Sequence, residues 1–300
     1  MGDPTKNSHH SPHAANLSLT TLSGEEAASR LGIALSEVGA AVSYLRAEVG
    51  ERATLPAGSM PTEETWLASS DLVHDPAWLA EVVAATAPRL GTSNQTVATS
   101  LFVQNYAYRV ITLAVACATV SGVVPDSRHE HLAVAIKAGR PNSIAYLEPR
   151  IIVMGGDPET VLSAPETLSR VIDDLVESVI TGHLTDLVAS AHESVRIGER
   201  LLWGNVAASC AVAFRTMEGL LGPWVRDVGE RFMASTPEMM AGLGSFWLVE
   251  ESGAHGWFWE RSNCCLYDQL GGVRCADCSK TPANERRAAY RRSLNPSSAS

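Results

Sequence analysis

The chain has 300 residues, is 45% apolar and 19% charged, and carries a formal net charge of −10. Its length buries a sizeable core in one large domain or two small ones, and its charge disfavours general binding to nucleic acid or to an anionic membrane. Six cysteines without an N-terminal apolar signal region argue against a disulfide-stapled secreted domain.

The charge is uneven. Residues 261–300 hold seven Lys/Arg against three Asp/Glu, a net of +4, so the first 260 residues carry −14. A basic end on an acidic body suggests an electrostatic docking face. No run reaches 18 uninterrupted apolar residues, so no transmembrane helix is expected, and the expected location is cytoplasmic.

Residues 1–19 are polar and rich in Ser, Asn, Pro and His, and are expected as a disordered tail in which His9, His10 and His13 are solvated. Ser23-Gly24-Glu25-Glu26 has the form of a capping box. Leu31, Leu35, Val38, Val42 and Leu45 then repeat at three and four, which predicts a helix to about Glu48. Pro56, Gly58 and Pro61 break the chain. Asp75-Pro76 reads as the cap and first residue of a second helix that Pro88 and Gly91 close. Asn94 to about Val120 reads as a long helix buried on several sides, with Tyr106, Tyr108 and Arg109 at a core edge.

Leu132–Ile136, Ile144–Leu147 and Arg150–Met154 are β-like runs, separated by Gly139-Arg140-Pro141-Asn142 and by Pro149; they predict one small antiparallel sheet. Helices are expected again from Pro158 to about Thr181, His183 to Val195, Gly198 to Leu221 and Pro223 to about Ala234. His183 and His192 stand nine apart, the wrong spacing to chelate from one helical face, and read as packing or surface. Gly204 in mid-helix costs about 1 kcal/mol against Ala, so it predicts a close helix approach. Phe246–Glu250 and Trp257–Glu260 predict two strands around Ser252-Gly253, and Ala283–Arg292 a short basic helix. The fold class is α+β, predominantly helical, with a small antiparallel sheet and a C-terminal cysteine metal loop. Three units are expected: a tail at 1–19, a body at 20–250 and a metal-binding segment at 251–295.

The strongest chemical signal is the cysteine pattern. Cys264-Cys265, nine residues, then Cys275-x-x-Cys278 places four of the six cysteines within fifteen positions. C-x-x-C lets both sulfurs reach one metal. The adjacent pair suits one tetrahedral ion poorly and two irons better. On the four-cysteine count alone a structural zinc site and an iron–sulfur centre rank level; a redox dithiol at Cys275 and Cys278 and structural disulfides are the remaining readings. Arg261, Arg274 and Lys280 can donate to thiolates. Trp247, Trp257, Trp259 and Phe258 can exclude water from a cluster. Lone Cys117 and Cys210 lie in Ala/Val-rich runs and read as buried small hydrophobes.

Arg261-Ser262-Asn263-Cys264-Cys265-Leu266-Tyr267 followed by Cys275-Ala276-Asp277-Cys278 resembles the C-terminal signature of the FhuF-type ferric-siderophore reductases. Arg200-Leu201-Leu202-Trp203-Gly204-Asn205-Val206-Ala207 is similar to that family's upstream block. The spacing between the pair and the C-x-x-C is one residue shorter than the family pattern, and Asn263 stands where Ser or Thr often precedes the pair. The resemblance implies a [2Fe–2S] cluster on Cys264, Cys265, Cys275 and Cys278 and one-electron reduction of Fe(III) in a siderophore chelate. It places the protein in iron transport and homeostasis, with a ferredoxin or an NAD(P)H-linked reductase as electron donor and room for peripheral association with the inner membrane. Arg261, Arg274, Arg286 and Arg287 are the expected surface for the chelate or donor. No general acid or base is expected. No G-x-G-x-x-G follows a strand, so no dinucleotide domain is read here; a non-enzymatic zinc-stapled interaction domain and an electron carrier without its own substrate are the alternatives.

Overall fold

A computed structural model describes residues 17–52, 54, 64–137, 140–272 and 274–294. The three N-terminal histidines and most of the expected tail lie outside these residues. Within the tail's expected bounds, Leu19 already opens a strand, β1 (Leu19–Ser23).

Ten α-helices and nine strands make up the described fold, which is α+β and mainly helical. At its centre is α4 (Gln95–Ser121), started by Asn94, whose side chain accepts from the Thr96 and Val97 amides. The helix expected from Asn94 thus begins there, with Asn94 as its cap. It ends at Gly122, in the left-handed conformation that favours glycine. Among the described helices α4 alone is long and apolar enough to cross a membrane, and most of it is buried inside the protein. Its neighbours are α1 (Gly24–Ala41), α3 (Pro76–Thr86) and above all α8 (Glu199–Leu221). Asp75 caps α3 by accepting from the Trp78 amide at 2.9 Å, with Pro76 at the first helical position.

Three sheets flank this helical core. β1, β7 (Arg150–Met154) and β4 (Val123–Pro125) form an antiparallel sheet with β7 central. A four-stranded sheet runs β2 (Ala47–Val49), β6 (Arg140–Tyr146), β5 (Leu132–Lys137), β3 (Glu64–Ala68); β2 lies parallel to β6 and the other pairs are antiparallel. The hairpin of β8 (Gly244–Glu251) and β9 (Ala254–Arg261) turns at Ser252-Gly253, both with positive φ.

The structure corrects several expectations. The single sheet is two, because β7 leaves β5 and β6 to pair with β1 and β4. Arg140, Pro141 and Asn142 are strand rather than turn, paired at the sheet's end with Lys137 and Ile136. The Ser23 capping box does not form. Ser23 is extended, pairs with Arg150 and makes no side-chain cap bond. α1 stops at Ala41, and Val42 and Leu45 continue the buried spacing from a turn that feeds β2. The helix expected from Pro158 breaks at Ala164, before Pro165, into α5 (Pro158–Leu162) and α6 (Pro165–Leu175). Beyond α6 the chain does not break; it widens into a π-helical segment, Val176–Leu184, and continues as α7 (Thr185–Ser194). α9 (Trp224–Ser235) and α10 (Ala283–Leu294) sit near their expected bounds. A boundary at residue 250 falls inside β8, so hairpin and cysteine loop form one continuous segment from Gly244.

Candidate metal centre

β9 ends in Trp257-Phe258-Trp259-Glu260-Arg261, five consecutive buried residues that deliver the chain to the cysteines. Trp257 stacks on Phe246 with ring centroids 3.8 Å apart, and Trp259 meets the same ring edge-on. The loop that follows turns back sharply. Leu266 adopts φ +67, a left-handed conformation uncommon for a branched residue and characteristic of functional turns. The turn brings the Leu266 amide to Cys264 Sγ at 3.2 Å and directs the Tyr267 amide at the Cys265 sulfur. Gly271, at φ +75, makes the second bend. The C-x-x-C closes as a turn, with the Cys278 amide donating to the Cys275 carbonyl at 3.1 Å.

These bends put Cys264, Cys265, Cys275 and Cys278 around one small cavity, together with Arg261, Asn263 and Asp277. All four thiols are free of disulfides. The Cys265 thiol is pulled down to about 6. The main cause is the Cys275 thiol donating to it, helped by the Arg261 guanidinium and the Tyr267 amide. Cys275 rises correspondingly because its proton is the one shared. Burial pushes the Cys264 thiol up, against the Leu266 amide that stabilises its thiolate. Lys280 binds Asp268 at 2.7 Å, and Asp268 in turn accepts from the Cys264 thiol at 3.5 Å.

The loop is bolted to the two central helices. Ser100 of α4 donates to the Cys265 carbonyl at 2.8 Å. Asn205 of α8 donates to the Ser100 carbonyl and hydroxyl at 2.9 and 2.8 Å, and its own carbonyl accepts from Arg261 Nη2 at 2.6 Å. Asn205 is fully buried and Arg261 is 4% exposed. One residue earlier, Gly204 leaves the space that Asn263 fills. A Cβ there would fall 1.8–2.1 Å from the Asn263 amide group, which donates to the Arg200 and Leu201 carbonyls. At Gly204 the expected close helix approach is instead an approach by the cysteine loop, and the Arg200–Asn205 block and the cysteines form one unit.

Four thiols, backbone amides aimed at two of the sulfurs and a buried cation form a donor set that fits a thiolate-ligated metal group. Arg261 Nε is buried without a hydrogen-bond partner at this cavity, a donor matched to an anionic sulfur acceptor.

Of the expected docking arginines, two belong elsewhere. Arg261 and Arg286, at 4% and 9% exposure, are internal struts. Arg286 donates to the Arg261 carbonyl at 3.1 Å and the Asp277 carbonyl at 3.5 Å, because loop carbonyls need donors once buried. Arg287 pairs with both Glu260 oxygens at 3.2 and 3.3 Å and lies 3.4 Å over the Trp247 ring. Arg274 is exposed on the loop.

Beside the loop lies a cleft of about 460 Å³, walled by α4, α8 and the start of β6. Gln104, Asn105, Tyr108, Arg140, Ser209 and Tyr267 line it with several apolar side chains. Gln104 Oε1 and Asn105 Oδ1 are buried there without partners. Tyr267 belongs to both sites: its amide faces the Cys265 sulfur and the residue also lines the cleft. Tyr106, expected at a core edge, is fully buried and bonds His183, while Tyr108 reaches the cleft. Ser100, Gln104 and Asn105 escape sequence reading; the one hint is a small set of polar residues interrupting the apolar α4.

A family model described as ferric iron reductase FhuF-like transporter matches residues 100–241. That stretch begins at Ser100, contains Gly204 and Asn205, and stops short of the cysteines. No curated protein matches the chain in sequence. Among solved structures, ATP-bound aerobactin synthetase IucA from a hypervirulent pathotype of Klebsiella pneumoniae aligns with TM-score 0.51 at 12% identity, over 75% of this chain and 44% of that one. The petrobactin biosynthesis protein AsbB from Bacillus anthracis aligns with TM-score 0.48 at 11% identity, over 73% and 42%. The first likeness shows a shared fold; the chain spans less than half the length of either structure. Residues 100–241, just under half of the chain, are thus similar to the ferric iron reductase FhuF-like family.

Proposed function

We propose that the protein is a ferric-siderophore reductase with a [2Fe–2S] cluster on Cys264, Cys265, Cys275 and Cys278. The observation that carries this reading is the convergence of the four cysteines on one cavity braced by Ser100, Asn205 and Arg261. Two of those braces lie inside the family-matched segment. When bound, the cluster supplies one electron at a time at low potential. Hard oxygen donors hold Fe(III) more tightly than Fe(II), so a one-electron reduction loosens the chelate and frees the iron.

The chain's own groups have separate tasks. Arg261, buried beside the sulfurs, offsets negative charge on the thiolates and helps draw the Cys265 thiol down. The Leu266 and Tyr267 amides fix the orientation of Cys264 and Cys265. The cleft would receive the chelate, with Arg140 and the unpartnered amide oxygens of Gln104 and Asn105 beside its polar groups. Tyr267 separates the two sites by a single side chain, which suits outer-sphere transfer. The electron comes from a separate donor such as a ferredoxin or an NAD(P)H-linked reductase, and the exposed Arg274 beside the cysteines suits an acidic partner. The reaction is assigned to the cytoplasm.

Anaerobically purified protein tests the reading. Visible charge-transfer bands that bleach with dithionite, about two iron and two sulfide per chain, and reoxidation of the reduced protein by a ferric siderophore are expected. A colourless protein with one zinc and no sulfide would replace the reductase with a zinc-stapled domain. A cluster that ferric chelates leave reduced would make it an electron carrier.

A further inference from the structure

On the far side of the π-helical segment from α6, three side chains distant in sequence meet. His74 ends α2 (Ser69–His74), His129 lies in a short turn before β5, and Asp186 lies in the first turn of α7. One ligand atom from each lies within 4.8 Å of the other two. His129 Nε2 is 3.3 Å from Asp186 Oδ2, and the His74 ring meets the His129 ring edge-on with centroids 4.8 Å apart. We propose that His74, His129 and Asp186 form a divalent transition-metal site of the two-histidine, one-carboxylate type, separate from the cysteines.

The neighbouring groups suit that role. His129 Nδ1 is buried with no hydrogen-bond partner, and a Glu130 oxygen lies 3.7 Å from it. A metal on Nε2 fixes the proton on Nδ1 and turns it towards that carboxylate, the arrangement that orients metal-bound histidines. His183, behind the site, is fully engaged. Its Nδ1 donates to the Ser127 carbonyl at 2.7 Å and its Nε2 meets the Tyr106 hydroxyl at 2.8 Å. It brings no charge to compete with a cation. The three supporting elements are fixed: Asp75 caps α3 directly after His74, His183 ties the chain before His129, and the π-helical widening sets the phase of Asp186. Such widenings recur at functional sites. Two imidazoles and one carboxylate favour Fe(II), Co(II), Ni(II) or Zn(II) over Ca²⁺ and Mg²⁺, which take oxygen sets, and over Cu(I), which takes sulfur. His74 is exposed, so the remaining coordination positions face solvent.

Co(II) titration of the full chain tests the site, because thiolate binding gives intense near-ultraviolet charge transfer whereas a nitrogen and oxygen site gives only weak visible bands. One equivalent of the weak bands is expected. They persist in Cys265→Ser and when His9, His10 and His13 are all replaced by Ala. His129→Gln and Asp186→Asn abolish them, and His74→Ala weakens binding at least tenfold. His74 is exposed, so that variant keeps the test open if His129→Gln misfolds. Weak bands unchanged by all three variants, or no cobalt bound outside the cysteines by equilibrium dialysis, would reduce the cluster to a His129–Asp186 ion pair and overturn the proposal.

Discussion

Replacing Gly204 by Ala gives opposite answers at the level of the helix and at the level of the fold. In an isolated helix the change stabilises by about 1 kcal/mol. Here the added methyl would sit on the Asn263 amide, 1.8 Å from its nearest atom. Asn263 has two side-chain torsions and two carbonyl partners, Arg200 and Leu201, so it cannot move aside and keep them. Loss of two hydrogen bonds at about 1 kcal/mol each, with ~1–3 kcal/mol of overpacking, outweighs the propensity gain. The expected net is a destabilisation of roughly 2–4 kcal/mol from the same bookkeeping, together with lower metal content, because Asn263 precedes Cys264. Urea denaturation with parallel iron analysis reads both. Asn263→Ala removes the collision, so the double variant should be more stable than additivity predicts. A Gly204→Ala protein as stable as the parent, with full metal content, would refute this account of the α8–loop contact.

Cys265→Ser should lose the visible bands and most iron and sulfide, whereas Cys117→Ser, a fully buried cysteine away from the loop, should keep them; metal analysis of both decides. Asn205→Ala strips Arg261 of its shortest acceptor and leaves only the Gly204 carbonyl at 3.4 Å, a loss of about 1.5–3 kcal/mol, read by chemical denaturation. His183, ordinarily near 6.5, is pulled down to about 4, first by burial, with the neighbouring His129 adding to it. The unfolded chain therefore binds the proton more readily. Stability is complete above pH 6.5 and falls as pH drops towards 4, by up to ~3 kcal/mol. His183→Gln should flatten that part of the stability–pH curve.

Signals that reside in a few adjacent residues were legible. Asn94, Asp75-Pro76 and Ser252-Gly253 each satisfy or bend the backbone beside them, and the helices and hairpin start and turn there. The cysteine pattern pointed to the loop, and Gly204 to a close contact, though not to its partner. Burial periodicity misled where a turn kept the spacing: Val42 and Leu45 are buried like helix residues but lie beyond α1. The Ser23 box failed because strand pairing with β7, more than a hundred residues away, claimed that backbone. Arg261 and Arg286 read as surface because charge usually is; their burial depends on Asn205 and on carbonyls that only the folded loop presents. His74, His129 and Asp186 share no spacing at all, and only topology brings them together.

The attachment of the cysteine loop to Ser100 and Asn205 also sets an order of events during synthesis. Its anchors on α4 and α8 leave the ribosome before the four thiols do. About 60 residues separate Asn205 from Cys265, roughly 3–12 s of elongation. The α4–α8 pair can form in that interval, so the cysteines emerge to meet a prepared docking surface. Each thiol then spends little time as a loose, oxidisable chelator, and the body acts as a template that decides when the loop first closes.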